Sequence, residues 1–349
     1  MPLALAFALA FALFAGTGFD AAEIVGGLIE GAVTGNGALP NTVRWAIPLV
    51  VIGLGIAVSL RAGEFNIGAQ GQFLMGSVAA VWVALRWDLP QPAVYLAAAV
   101  IAIALGAAWS CIAGVLKVLW GADEVITTLM LNFVALQVVV WITTSPLKDP
   151  LTSGDAASTS RIDSSLRFQG SGEYSPELIV LALLLIAGVW LLLERSGLGL
   201  ALRLTGANPT AAQCQGLSVR RVRLWSYLIA GGLAGLAGAL EVFGPAGRVV
   251  TGSTPTLGFT ALVVATVGSL TVSGTVSAAL FFGGLQAAIL YLPIVSDLPP
   301  SGLRIIEGVV ALLITAQLAA VLRRRRNSNR IPASSGEDAA ESPAAKGLL

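Results

Sequence analysis

The stretch ERSGLGLALRLTGANPTAAQCQGLSVRRVR, residues 194–223, decides how the chain is read, because long apolar segments flank it on both sides. Five arginines, Arg195, Arg203, Arg220, Arg221 and Arg223, stand there against one acid, Glu194. Such an excess of basic residues in a short connection marks the cytoplasmic side of a membrane protein. The stretch therefore reads as a cytoplasmic loop, and it orients everything outside it. Within it, Asn208 can cap a helix and Pro209 suits the first helical position. A short helix is predicted from Pro209 through Ala211 and Ala212 toward Gly216.

Composition agrees with the membrane reading. Of 349 residues, 56% are apolar and 11% charged, where a soluble domain is about 25% charged. The fold class expected is an all-α integral membrane protein. The net charge of +1 hides two basic clusters, the central loop and Arg323–Arg326, and neither implies a nucleic-acid partner. Cys111 lies in an apolar segment and Cys214 in the loop, in a reducing compartment, so no disulfide is expected. Histidine is absent, which removes the commonest transition-metal ligand and the usual general base. No metal site and no serine–histidine chemistry are expected.

Outward from the loop, apolar segments are predicted at residues 1–19, 43–60, 73–85, 92–119, 121–144, 176–193, 224–243, 259–270, 276–292 and 303–322. That makes about ten crossings at the usual length of about 20 residues, and an even count puts both termini on the cytoplasmic side. The first segment lacks the basic flank of a signal peptide and is read as a membrane helix. Residues 259–270 are short and read as a broken or half-membrane helix. The membrane domain is taken as residues 1–322, and residues 323–349, rich in Ser, Ala, Pro and Glu, as a disordered tail. Lipid headgroups are the natural partner of Arg323–Arg326.

Two halves, about residues 43–144 and 224–322, flank the loop in a weakly duplicated order. Each has a span, then an irregular glycine-rich stretch (Ala62–Gln72 and Gly244–Gly258), then further spans. Interrupted segments in matching places point to a permeation site near the midplane. Irregular backbone at that depth is tolerated only when buried in protein or facing a wet cavity. Asn66, Gln70 and Gln72 are therefore read either as path lining or as amides that join helices. Glu124, Thr128 and Asn132 fall at i, i+4 and i+8 on one helix face, with the same two readings open. Gly231, Gly235 and Ala239 form a stripe of small residues, read as a close helix–helix seam.

Three motifs resemble the permease subunits of bacterial ABC importers of the branched-chain amino acid, ribose and nucleoside type, nearest to the nucleoside and simple-sugar branch. NIGAQGQFLMG, from Asn66 to Gly76, is similar to that branch's NIG-x-EGQ motif, with Gln70 where glutamate is usual. GADEVITTLMLNF, from Gly121 to Phe133, looks like its EVI-x-T-x-MLN signature. GANPTAAQCQG, from Gly206 to Gly216, resembles the family's coupling loop, with Thr210 in the place of an acid. The resemblance covers nearly the whole chain apart from the tail.

It implies a permease subunit in the bacterial cytoplasmic membrane that carries nucleosides, with ribose-like sugars or branched-chain amino acids as alternatives. It further implies a separate ATPase that holds ATP and Mg, a second related permease chain, and an extracytoplasmic binding protein. Asn208, Pro209, Ala211, Ala212 and Gly216 would couple this chain to the ATPase, the small alanines allowing close approach. The plainer alternative is a loop that only sets topology. This chain carries no G-x-x-x-x-G-K-[ST] phosphate loop and is not expected to hydrolyse ATP by that route. An ion-coupled secondary transporter would need charged residues in mid-span, whereas these sit mostly at segment ends. A membrane enzyme would need paired acids or clustered cysteines, which the sequence lacks.

Overall fold

In the computed structural model, residues 21–152, 157–168, 175–251, 256–295 and 308 are described. The expected segment at residues 1–19, all but residue 308 of the one at 303–322, both termini and the tail lie outside them. Among the described residues the chain is helical apart from short turns and two isolated bridges, Lys148 with Thr159 and Ser158 with Val250.

Helix α1 spans Ala21–Ile29 and runs into a π turn, Glu30–Thr34. α2 is Ala38–Arg61, α3 Ala69–Arg86, α4 Gln91–Trp120 and α5 Glu124–Thr144. After the polar stretch at 145–175 come α6 (Pro176–Arg195), α7 (Gly197–Ala207) and α8 (Pro209–Cys214). α9 (Val219–Glu241), α10 (Leu257–Val267) and α11 (Val272–Val295) follow. Six of these, α2, α4, α5, α6, α9 and α11, are long and apolar enough to cross a membrane. α10, with 11 residues, rises only about 16 Å, as its short apolar run predicts.

α2 and α9 form the centre of the bundle, with 78% and 83% of their apolar windows buried, against 22–28% for α4, α5 and α6. The outer three turn large apolar side chains such as Leu96, Met130, Phe133 and Leu184 outward, as lipid contact requires. Because lipid tails are as apolar as leucine, helices in a membrane gain by fitting closely, which small residues permit. The stripe on α9 does this. A Cβ on Gly235 would strike the Ala102 carbonyl of α4, and one on Gly76 of α3 would strike the Gly235 backbone.

Local signals set several boundaries. Gly121 ends α4 in the left-handed region, φ 67°, where glycine carries no Cβ penalty. The Asp123 carboxylate accepts from the Val125 and Ile126 N–H groups and starts α5. On the 145–175 stretch, the Ser165 N–H bonds Asp163 and holds its carboxyl below the usual range.

The structure redraws three expected boundaries. The loop predicted over 194–223 is largely helical, and Arg220, Arg221 and Arg223 belong to the first turns of α9. Val219 and Val222 bury themselves there while Arg220 and Arg221 face outward, an amphipathic pattern that extends the helix. The break predicted over Ala62–Gln72 ends at Gly68, so Gln70 and Gln72 lie in the first turn of α3. The break at 244–258 opens with a π turn, Val242–Ala246, in which Gly244 leaves helical geometry, and closes at Leu257.

Candidate functional site

Five of the six residues expected along a path converge on the break between α2 and α3. Asn66, Gln70, Gln72, Thr128 and Asn132 are all buried. Asn66 Oδ1 accepts from the Gly68 N–H at 2.9 Å and from Gln72 Nε2 at 3.0 Å, and Asn66 Nδ2 donates to Gln72 Oε1 at 3.2 Å. From α5, Thr128 Oγ1 accepts from the Ile67 N–H at 3.3 Å. Asn132 Nδ2 donates to the Ile67 carbonyl at 3.0 Å, and its Oδ1 accepts from the Gly71 N–H at 2.8 Å. Gln70 Oε1 accepts from the Gly258 N–H at 2.8 Å, which ties α3 to the head of α10. Backbone groups freed by the break thus find amide or hydroxyl partners, the condition for non-helical chain inside lipid.

The sixth residue, Glu124, joins a second cluster on the side of the bundle that carries residues 194–223, hereafter the loop face. Its hub is Glu64, whose side chain is fully buried. Glu64 Oε2 meets Lys117 Nζ of α4 at 2.9 Å and accepts from the Tyr227 hydroxyl of α9 at 3.2 Å. Glu64 Oε1 lies 2.7 Å from Arg223 Nε, an ion pair in which the N–H does not point along the contact. Lys117 Nζ also reaches Glu124 Oε1 at 2.6 Å. Two acids and two bases from the break, α4, α5 and α9 thus sum to zero charge, and burying charge at low cost demands such pairing.

A second set of ion pairs holds the same face. Arg61 Nη1 lies 2.7 Å from Glu194 Oε1, and Arg203 Nη1 lies 2.9 Å from Glu194 Oε2. Arg61 Nε donates to the Leu270 carbonyl at 2.8 Å. Ser269 and Leu270 hold φ of 53° and 58°, a region that residues with a Cβ rarely enter, so Arg61 pins a strained turn between α10 and α11 to the end of α2.

On the loop, Asn208 Oδ1 accepts from the Ala211 N–H at 3.1 Å and α8 begins at Pro209, as the sequence predicts. Pro209, Ala211 and Gly216 are exposed, whereas Ala212 is 1% exposed and turned into its own chain. Of the two alanines, only Ala211 is free to touch another subunit.

At the opposite face the ends of α2 and α9 border two cavities, of about 340 and 250 Å³. Arg44 and Trp45 line both, and Arg44 Nη2 pairs with Glu241 Oε1 at 3.0 Å. The residues that sequence reasoning missed are Glu64, Lys117 and Arg223 as a unit, and Arg44 with Glu241. Arg223 read as a topology marker. The available signal was a glutamate within the amide-rich break.

Among the described residues, six helices long and apolar enough to cross a membrane, packed around a buried break satisfied by amides, define a multi-pass membrane protein. Residues 38–315 match a family described as the permease component of the branched-chain amino acid transport system, and the chain belongs to that family. It is 35% identical to a guanosine ABC transporter permease protein of Bacillus subtilis over 80% of this chain and 81% of the relative. It is 30% identical to a glucose ABC transporter permease protein of Haloferax volcanii, over 85% and 81% of the two. With a nucleoside ABC transporter permease protein of Lactococcus lactis it shares 29% over 80% and 79%. No solved structure matches the chain.

Proposed function

We propose that this chain is the translocation subunit of an ATP-driven nucleoside importer, with the loop face cytoplasmic and ATP hydrolysed on a partner ATPase. The observation that carries the reading is α8, a six-residue helix that is exposed at Pro209 and Ala211 and anchored through buried Ala212. A second permease chain and an extracytoplasmic binding protein complete the assembly in this reading. Two of the relatives above are named as guanosine or nucleoside permeases, which supports that cargo. A glucose permease relative at similar identity favours sugars as the second reading. Within the proposal, Asn66, Gln70, Gln72, Glu124, Thr128 and Asn132 form the polar wall of the path, and the bonds of all but Glu124 to one another or to the backbone fix the break inside the bundle.

Uptake of labelled guanosine, adenosine and uridine tests the cargo, in cells lacking the chain and in cells complemented with it. Uptake that needs the chain, resists excess ribose and leucine, and survives an uncoupler while ATP is maintained is the expected result. Competition by ribose or leucine moves the cargo, and loss on uncoupling removes the ATPase. The coupling role makes a sharper prediction. Ala211→Trp, at the exposed position, lowers ATP-driven uptake at least about tenfold, on the scale of a lost interface contact, and membrane insertion is unchanged. Uptake at the native rate would reduce α8 to an ordinary topological loop.

A further inference from the structure

We propose that the 340 Å³ cavity opposite the loop face binds nucleosides whose purine carries a carbonyl at ring position 6, and that Arg161 and Arg248 select them; this rests on the nucleoside reading above. The cavity is formed by Arg44 and Trp45 of α2, Phe73 and Ser77 of α3, Glu241 of α9, and Arg161 and Arg248 on the flanking chain. Its volume lies within the range of small-molecule pockets.

The lining has a surplus of hydrogen-bond donors. Among the described residues Arg44 Nη1 and Trp45 Nε1 are buried without a hydrogen-bond partner, a condition that is costly when nothing fills it. Among the described residues Arg161 and Arg248 form no ion pair. Three guanidinium groups therefore border the cavity with one carboxylate, Glu241, which Arg44 holds through Oε1. Trp45 adds apolar surface, one face of its ring covered by the Arg44 guanidinium at 3.6 Å, and Phe73 borders the cavity almost fully buried. A ligand that satisfies this wall is an aromatic plane rich in acceptors along one edge, with a donor for the carboxylate and hydroxyls for Ser77.

A 6-oxopurine offers its O6 carbonyl and the imidazole-ring nitrogen N7 as two acceptors on one edge, the pair a guanidinium fork grips bidentately, while N1–H is a donor that the carboxylate can accept. Adenine places an amino donor at the same edge and leaves the fork half unpaired. Selection of oxo- over aminopurines follows from donor count alone.

The test is uptake of labelled guanosine, inosine and adenosine by the complete transporter in proteoliposomes, with Arg248→Ala, Arg161→Ala and, on the exposed chain outside the cavity, Lys148→Ala as control. Neither cavity arginine has an ion-pair partner among the described residues to orphan, and thermal unfolding checks that each variant is folded. Arg248→Ala is expected to raise KM for guanosine and inosine about tenfold, one good bidentate contact. KM for adenosine moves less than about twofold, and Lys148→Ala changes none of the three. An equal rise for all three nucleosides, no change for any, or stronger competition by guanosine monophosphate than by guanosine overturns the site. A wild-type transporter that moves sugars and no nucleoside overturns the nucleoside reading and this inference with it. Native nucleoside uptake with Arg248→Ala unaffected overturns this inference alone.

Discussion

Glu64→Ala is expected to abolish transport and to lower the stability of the folded chain by about 3–5 kcal/mol, the usual cost of breaking a buried ion pair on one side only. The Glu64 side chain is fully buried, so water cannot repair the loss. Lys117 keeps Glu124, but Arg223 loses its acid, and Tyr227, itself buried, loses its acceptor. The remaining cluster carries a net positive charge inside the bundle. High salt is not expected to rescue the variant, since buried pairs are poorly screened. The double variant Glu64→Gln with Arg223→Gln restores neutrality and regains most of the stability, because removing both partners avoids the uncompensated charge. Thermal unfolding of the purified single and double variants reads this directly. A single variant as stable as the native chain would show that the network carries no weight. A double variant that folds but transports slowly would place the link between the α2–α3 break and α9 in the transport cycle as well as in the fold.

How much of this was legible in the sequence depends on the range of the interaction. The start of α8 was legible, because Asn208-Pro209 act on neighbours a few residues away, whereas Gly121, read as the opening of the 121–144 segment, is the residue that ends α4. The short α10 was legible from the length of its apolar run, and the convergence of Asn66 with Thr128 and Asn132 was half legible, as an amide-rich break and a polar face of matching spacing. What the sequence hid was pairing across the fold. Arg223 stands one helical turn before Tyr227, which is itself 163 residues along the chain from Glu64, and nothing in a local window marks it as that acid's partner rather than a topology signal. The inward turn of Ala212 was hidden for the same reason, since α8 is too short to show an amphipathic period and α7 and α9 decide which side it buries. The stretch after Val219 was misread as loop because its arginines outweigh Val219 and Val222 in a hydropathy window, although the spacing of the valines suits a helix face.

Gly235→Leu is expected to cost about 3 kcal/mol or more, at the upper end of overpacking in a tight core, and to leave little inserted, functional protein. Three helices meet at this glycine. A Cβ there would strike the Ala102 carbonyl of α4, and the backbone of Gly235 is itself what blocks a Cβ on Gly76 of α3. These are backbone contacts, which cannot swing aside as a flexible side chain does. Separating α9 from α4 would also move Arg223 and Tyr227, on the same helix, away from Lys117 and Glu64, so a packing defect in mid-bundle reaches the charged cluster three turns away. Gly188→Leu on α6 is the matched control, because a Cβ there meets nothing within 4 Å and a change away from packed features stays within about 0.5 kcal/mol. Folded yield and unfolding temperature in detergent, compared for the two variants, decide the matter. Equal stability would mean that α3, α4 and α9 can separate without cost, and the small-residue seam would then owe nothing to close packing. The opposite result would show that close backbone packing of α3, α4 and α9 at that crossing holds the bundle together.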